Sequence, residues 1–243
     1  MGKYGKVTAI IANGDLDPHD FEPTAASAKA VAAANVVIAN GLVYDSWMNN
    51  LARANDMQVT EVGEKLLHLK KGNNPHIWYD LTMPKRYVNY IAYRAGKIAP
   101  KHRIYYQERA QEYIAKINKL QKMTKKIDGH KEKPVFVSEP VFDYALKAYH
   151  FRIGDHEFEE AVENETDPSA QSVYRMQQMI KKKQISFFVN NTQASSSTVN
   201  GFVMLAQKND IPIVNVRETM PNGVSYYQWM KANYQKIFKL FQK

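Results

Sequence analysis

Hydrophobic and polar positions along the first hundred residues predict strands and helices in alternation. The predicted strands are short, apolar and partly β-branched, at residues 7–12, 36–39 and 57–62. The predicted helices follow capping residues, at residues 25–34, 45–54 and 80–98. Pro84 lies in the first turn of the third helix, where proline is tolerated. Strands separated by helices are typical of a largely parallel sheet.

Residues 103–127 have a different pattern, because apolar positions recur at helical spacing between Glu and Lys residues. At 1.5 Å per residue, a helix of this length spans about 37 Å. Asp128-Gly129 is a stop signal for it. The pattern therefore predicts one long connecting helix.

The alternation resumes after that helix. The predicted strands are residues 134–138, 185–189 and 211–216. The predicted helices are residues 141–149, 168–183, 195–208 and 225–241. We therefore expect an α/β protein with two Rossmann-like lobes of mostly parallel sheet joined by one long helix. The expected lobes are residues 1–102 and 128–243, and the linking helix is 103–127.

Composition narrows the class of protein. The 243 residues are 44% hydrophobic and 23% charged, which is ordinary for a globular protein and excludes a disordered or coiled-coil chain. The longest mostly apolar stretch, residues 31–39, is about half the ~20 residues that a membrane span needs. Cysteine is absent, which excludes disulfides, thiolate metal sites and a cysteine nucleophile.

The net charge of +9 is unevenly distributed. Residues 116–133 carry seven Lys and two acids, and residues 155–167 carry seven acids and no Lys or Arg. A basic stretch can bind nucleic acid, but no nucleic-acid motif accompanies it, so we interpret it as a solvated helix face. We interpret the acidic run as a solvated loop, in which His156 could be an accessory metal contact.

Two loops present a histidine directly after a proline. They are residues 17–23 (DPHDFEP), with His19, and residues 74–80 (NPHIWYD), with His76. Proline stiffens the backbone before the imidazole, and histidine is the commonest metal ligand. An ordinary loop histidine is the alternative for either loop alone.

Two glutamates occupy matching places in the second half of the chain. Glu139 directly follows a predicted strand, and Glu218 follows another with one residue between. Ligands of open parallel sheets bind beyond the carboxyl ends of the strands. A helix cap or a surface charge is the alternative for each. The polar residues 190–193 (NNTQ) also follow a strand and could hydrogen-bond a ligand carboxylate.

His19, His76, Glu139 and Glu218 are so far apart in sequence that only a cleft between two lobes would bring them together. Two imidazoles and two carboxylates suit Mn²⁺, Zn²⁺ or Fe²⁺ and contain too much nitrogen for Ca²⁺. The two carboxylates also supply the negative charge that a buried divalent ion requires.

These motifs resemble those of the substrate-binding proteins of bacterial zinc- and manganese-type ABC importers. The similar segments are residues 17–24 (DPHDFEPT), 40–41 (NG), 47–48 (WM), 74–78 (NPHIW), 138–142 (SEPVF), 218–221 (ETMP) and 226–230 (YYQWM). The resemblance covers essentially the whole chain, and the two histidine loops are its most specific part.

The resemblance implies a rigid linking helix and a divalent metal, Zn²⁺ or Mn²⁺, held as transported ligand by His19, His76, Glu139 and Glu218. It also implies a membrane ABC permease as partner, an extracytoplasmic location at the cell surface, and a lipid anchor, which we expect in the full-length protein outside this chain. We expect a monomer. The chain begins at the strand before the first histidine loop, so we expect it to be truncated. It lacks the histidine-rich loop of many zinc-specific members, and Glu139 in place of histidine favours manganese.

Three other functions are alternatives, and one of them, a metalloenzyme, would use the same ligands. A metal-dependent hydrolase would keep an open metal position for water and need a nearby acid or base. The chain contains no H-E-x-x-H, G-x-S-x-G or Gly-rich phosphate motif, so we do not expect an enzyme. A surface adhesin and a binding protein for an organic solute are the remaining alternatives.

Overall fold

The computed structural model describes residues 2–16, 21–194 and 196–242. The chain divides into two compact units. The N-terminal unit is Met1–Leu120 with Pro221–Gly223, and the C-terminal unit is Gln121–Met220 with Val224–Lys243. The division falls inside a single helix, Arg103–Thr124.

The N-terminal unit contains a parallel two-stranded sheet. Its elements are α1 (Ala25–Ala32), β1 (Val37–Ala39), α2 (Trp47–Arg53), β2 (Val59–Glu61), α3 (Val62–Leu67), α4 (Met83–Ile98) and α5 (Arg103–Thr124), of which α5 runs on into the C-terminal unit. Val37 pairs with Val59 in the sheet. The core joins the sheet to α1 and α2 through Val31, Val37, Ala39, Met48 and Ala52.

The C-terminal unit contains a parallel three-stranded sheet in the order β3-β4-β5. Its elements are β3 (Phe136–Val137), α6 (Asp143–Ala148), α7 (His156–Glu163), α8 (Ala170–Lys181), β4 (Phe188–Asn191), α9 (Ser197–Lys208), β5 (Ile213–Val216) and α10 (Tyr226–Leu240). Phe188 of the central strand pairs with Phe136 on one side and Ile213 on the other. Because all three strands are parallel, their carboxyl ends lie at one edge of the sheet.

The mixed α/β class with parallel sheets is confirmed, as is the cap predicted at Thr24. The helix predicted to begin at Asp45 instead begins at Trp47, because the Asp45 carboxylate accepts the backbone N–H groups of Asn40 and Gly41 and does not cap the helix. Thr24 forms a capping box with Ser27 at the start of α1, and Pro84 lies in the first turn of α4. The long predicted helix is α5, which ends three residues earlier than expected. Among the described residues, no helix has both the length and the apolar character that crossing a membrane requires.

The predicted strand at residues 7–12 is wrong. The described residues 2–16 contain a 3₁₀ turn at Gly2–Tyr4 and no strand, and the side chain of Val7 is 72% exposed. Of this run, Ile10 packs against the core of the N-terminal unit. A β-branched run forms a strand only where a neighbouring strand accepts its hydrogen bonds, and the sheet described in this unit consists of β1 and β2.

The acidic run is also not a solvated loop, because it forms α7. Asp155 caps the helix by accepting a hydrogen bond from the amide of Phe158 at 3.2 Å. Phe158 is fully buried in the core of the C-terminal unit. The helix could have been found from the spacing of Phe158, Ala161 and Val162, which places three apolar side chains on one face.

Candidate metal centre

His76 is fully buried and lies at the end of a short, hydrogen-bonded loop. It precedes the 3₁₀ turn Ile77–Tyr79. Its ring lies edge-on to Trp78 with centroids 5.2 Å apart. The carbonyl of Pro75 accepts a hydrogen bond from Asn40 Nδ2 at 2.9 Å, which ties this loop to the end of β1.

Asn74 fixes the protonation of the His76 ring. Asn74 Oδ1 accepts the backbone N–H of His76 at 2.9 Å, so that atom is the amide oxygen and not the nitrogen. The same oxygen lies 2.8 Å from His76 Nδ1, which therefore carries the proton. The lone pair of the neutral ring is then on Nε2, which is the atom that would bind a cation.

The Asn40-Gly41 turn that anchors this loop requires glycine. Gly41 has a φ of +81°, and a Cβ there would lie 2.1 Å from Glu64 Oε2. Asp45 accepts the backbone N–H groups of Asn40 at 2.6 Å and Gly41 at 2.9 Å. Burial raises the pKa of Asp45, although these two hydrogen bonds lower it.

His19 lies outside the described residues, but the chain on either side of it is held in place. On one side, Asn222 accepts the N–H of Gly14 at 2.9 Å and donates to Asn13 Oδ1 at 3.0 Å. On the other side, the ring of Phe21 packs on Trp47 with centroids 4.7 Å apart. These contacts all lie within the N-terminal unit.

Glu139 follows β3 by one residue and is 8% exposed. Its Oε2 accepts a hydrogen bond from Asn191 Nδ2 at 2.6 Å. Asn191 is the last residue of β4, and its backbone N–H donates to Ser138 Oγ at 2.8 Å. The polar segment 190–193 therefore does contact the Glu139 carboxylate through Asn191. That this carboxylate is a metal ligand stays a prediction.

Glu218 follows β5 by one residue and is half-buried. The residue after it, Thr219, donates its backbone N–H to Gln193 Oε1 at 3.0 Å, and Gln193 Nε2 donates to Thr219 Oγ1 at 2.7 Å. Gln193 follows β4, so it connects the loop after the central strand to the loop that carries Glu218.

The structure therefore places two of the predicted ligands at the same edge of one sheet. Glu139 and Glu218 follow the two outer strands, and Asn191 ends the strand between them. His76 belongs to the N-terminal unit, and the segment with His19 is not described. The complete set of four ligands stays a prediction.

A second group of potential ligands lies in the C-terminal unit. Asp143, His156 and Glu159 each have a ligand atom within 4.8 Å of the others. His156 Nδ1 contacts Glu159, and Lys147 Nζ donates to Asp143 Oδ2 at 2.9 Å. Of this group, the sequence indicates His156 as an accessory metal contact, but it gives no signal for Asp143, which lies on another helix outside the acidic run.

Comparison with protein families identifies the chain. The family model described as "Zinc-uptake complex component A periplasmic" matches residues 1–239. The chain belongs to this family. The resemblance inferred from the two histidine loops is thereby confirmed.

Individual similar proteins show how far the similarity extends. The metal ABC transporter substrate-binding lipoprotein SloC of Streptococcus mutans is 28% identical over 246 residues, which cover 91% of this chain and 78% of SloC. The structure of FpvC from Pseudomonas aeruginosa in complex with Mn²⁺ matches with a TM-score of 0.78 at 18% identity, covering 99% of this chain and 92% of FpvC. The Zn(II)-bound ZnuA-like domain of AdcA from Streptococcus pneumoniae matches with a TM-score of 0.75 at 18% identity, covering 100% of this chain and 92% of the domain.

Proposed function

We propose that this protein captures a divalent transition-metal ion, Zn²⁺ or Mn²⁺, and delivers it to a membrane ABC permease. The observation that carries the proposal is the match to a zinc-uptake component over residues 1–239. SloC, which is named as the substrate-binding lipoprotein of a metal ABC transporter, supports the same function. The metal ion is the cargo of the protein and not a resident cofactor.

The proposed ligands are His19, His76, Glu139 and Glu218. The protonated Nδ1 of His76 supports its part, because the remaining lone pair is on Nε2. The burial of Glu139 supports its part, since a carboxylate that stays ionised out of water needs an opposite charge, which a divalent ion would supply. Glu218 follows the other outer strand, β5, and would bring the ligand charge to −2.

We infer that the protein binds and releases its ligand and does not catalyse a reaction. The family is one of transport components. Four protein ligands would close the coordination sphere, whereas a catalytic zinc site keeps one position for water. A metal-dependent hydrolase remains the alternative that a turnover assay on ester and phosphate substrates would detect.

We further propose that the protein acts outside the cytoplasmic membrane, as a monomer held near its permease by a lipid anchor. The naming of SloC as a lipoprotein supports the anchor. An anchored binding protein meets the permease at high effective concentration, so tight mutual affinity is not needed.

Thermal unfolding of chelator-stripped protein, with and without Zn²⁺ or Mn²⁺, tests the proposal. An ion that binds only the folded state at 100 times its Kd stabilises that state by about 2.7 kcal/mol. We expect a metal-dependent rise in Tm that His76→Ala removes. The control is His102→Ala, since His102 stacks on Tyr4 and is outside the proposed ligand set.

Two results would contradict the proposal. The first is a well-folded wild type whose Tm neither ion changes, which would favour an organic ligand or an adhesive surface. The second is a metal-dependent rise that His76→Ala and His102→Ala retain equally, which would place the ion elsewhere on the protein.

A further inference from the structure

Asn191 is a buried amide that is directed at a proposed metal ligand. It is the last residue of the central strand β4, and it is 1% exposed. Its Nδ2 lies 2.6 Å from Glu139 Oε2, which makes this one of the shortest amide–carboxylate contacts in the described residues. A short hydrogen bond to a charged acceptor is among the stronger ones in proteins.

The orientation of the Asn191 amide is determined by its neighbours. The backbone N–H of Gln193 donates to Asn191 Oδ1 at 3.1 Å, and a backbone N–H can only donate. The atom facing Gln193 is therefore the oxygen, and the atom facing Glu139 is the NH₂ group. The Asn191 backbone N–H is held in turn by Ser138 Oγ. The side chain thus has one orientation and presents a donor to Glu139.

A donor on one carboxylate oxygen changes how that carboxylate can bind a metal. Bidentate ligation uses both oxygens, and the hydrogen bond from Asn191 occupies one lone pair of Oε2 and makes that oxygen a weaker ligand than Oε1. Ligation through a single oxygen keeps the coordination number low. Zn²⁺ adopts a tetrahedral set of four ligands, whereas Mn²⁺ favours six oxygen-rich positions. Four side chains can supply six positions only if both carboxylates are bidentate.

We propose that Asn191 is a positioning residue that restricts Glu139 to one-oxygen ligation and so shifts the metal preference of the protein toward Zn²⁺ over Mn²⁺. The inference rests on the proposed function, because it requires Glu139 to be a ligand. It runs against the expectation that Glu139, in place of a histidine, favours manganese. On this proposal, the preference for one metal over the other depends on the hydrogen-bond partner of the Glu139 carboxylate and not only on the presence of a carboxylate at that position.

The chain offers a matched pair of variants. Asn191→Ser removes the donor to Glu139 because serine is too short to reach it, but its hydroxyl can still accept the Gln193 N–H in the same kind of turn. Asn190→Ser is the control. Asn190 is the neighbouring residue on the same strand, so its side chain points to the opposite face, and its amide donates to Asn215 Oδ1 at 3.1 Å.

The measurement is the Kd for Zn²⁺ and for Mn²⁺ in wild type and both variants, by competition with a chromophoric chelator. We expect the ratio Kd(Mn²⁺)/Kd(Zn²⁺) to fall by about fivefold or more in Asn191→Ser and to stay unchanged in Asn190→Ser. Bound Co²⁺ gives a second readout, because four-coordinate Co²⁺ absorbs visible light much more strongly than six-coordinate Co²⁺. We expect this absorption to weaken in Asn191→Ser.

Each other outcome is decisive. A purely structural role of Asn191 would weaken both metals equally, leaving the ratio and the Co²⁺ spectrum unchanged, and would overturn this inference alone. Wild type that binds neither ion would overturn the proposed function and this inference together. If Asn191→Ser fails to fold by circular dichroism, Asn191→Ala is measured in its place, with the same ratio as criterion.

Discussion

Two asparagines support the proposed ligands at the scale of single residues. Asn74 accepts from the ring of His76, and Asn191 donates to the carboxylate of Glu139. An amide is neutral, so it orients a ligand without adding charge to the site. The negative charge of the proposed site therefore comes from the carboxylates, and the two amides orient the ligand atoms.

Replacing Asn74 tests this role at the imidazole. In Asn74→Ala, His76 loses the acceptor that keeps the proton on Nδ1, so both tautomers become populated and the ring loses its fixed orientation. Loss of such a partner costs about 10–100-fold in metal affinity. Titration calorimetry with Zn²⁺ measures the loss. The control is Asn73→Ala. In the wild type, the side-chain oxygen of Asn73 accepts the Lys70 N–H at 2.9 Å and not the His76 ring, so we expect this variant to bind Zn²⁺ as the wild type does. Equal affinities in all three proteins would contradict the role of Asn74.

Two glycines with the same backbone conformation allow the cost of a steric clash to be measured separately from the cost of backbone strain. Gly41 and Gly72 have φ angles of +81° and +82°. At Gly72, a Cβ would meet nothing within 4 Å, so Gly72→Ala costs the left-handed strain alone, about 1–2 kcal/mol. At Gly41, a Cβ would meet Glu64 Oε2 and would also lie 2.9 Å from the Cβ of Glu61. The other carboxylate oxygen of Glu64 accepts the Leu42 N–H at 2.9 Å.

We therefore expect Gly41→Ala to destabilise the protein more than Gly72→Ala, by about 1 kcal/mol for the displaced hydrogen bond. Urea unfolding measures the difference between the two variants. Equal losses of unfolding free energy would mean that both Glu64 and Glu61 move aside without cost and that the Asn40-Gly41 turn is not tightly packed.

The sequence predicted residues in the proposed site better than it predicted their partners. His76 and Glu139 stand out because a proline or a strand end marks the position. Asn191 could be anticipated only as part of a polar segment, since which amide reaches Glu139 depends on the register of β3 against β4. The tautomer of His76 depends on a hydrogen bond that spacing cannot reveal.

At the scale of elements, local signals were sufficient where a cap or a proline fixed the end of a helix. Thr24 and Ser225 both form capping boxes, and the helices that they begin, α1 and α10, start where predicted or one residue later. The wrong predictions concern segments whose structure depends on tertiary contacts. Residues 7–12 have strand-forming side chains without a strand partner, and α7 has the charges of a loop but buries Phe158 and Glu159.

The buried acids of α7 and α6 make the stability of the protein depend on pH. Burial, followed by the charge of Asp143, raises the pKa of Glu159 to about 9. Asp143 Oδ1 and Glu159 Oε2 are both buried with no hydrogen-bond partner among the described residues. A proton on Glu159 can satisfy both atoms. The charged or titratable groups around the pair are Lys147 and Glu160, with His156 at the exposed side.

Glu159→Gln tests this proton. Between the ordinary pKa of 4.5 and about 9, the folded protein holds a proton that the unfolded chain has released, so stability falls as pH rises. The loss is at most about 1.4 kcal/mol per pH unit. Glutamine imitates the protonated acid and has no such loss. We therefore expect Glu159→Gln to gain stability relative to wild type as the pH is raised from 6 to 8.5.

Chemical unfolding at several pH values measures that gain, because the contributions of other titrating groups cancel between the two proteins. Glu157→Gln is the control, since Glu157 is an exposed acid on the same helix, α7. A difference between Glu159→Gln and wild type that does not change with pH would mean that Glu159 is ionised in the folded protein.

At the scale of the whole molecule, the proposed ligands are divided between the two units. His19 and His76 belong to the N-terminal unit, and Glu139 and Glu218 belong to the C-terminal unit. Neither pair alone closes a four-ligand site. An ion with all four ligands would therefore bind only when both units are folded, and by linkage it would stabilise both of them.

This division predicts that the ion couples the unfolding of the two units. Without metal, we expect the calorimetric enthalpy of unfolding to exceed the van't Hoff enthalpy, because units that unfold separately do not form a two-state system. With saturating Zn²⁺, we expect the two enthalpies to converge as the transitions merge. In His76→Ala, the metal should bring no convergence. If wild type with metal instead shows one transition raised and the other unchanged, the ion is held by a single unit, and the four-residue ligand set is wrong even though the protein binds metal.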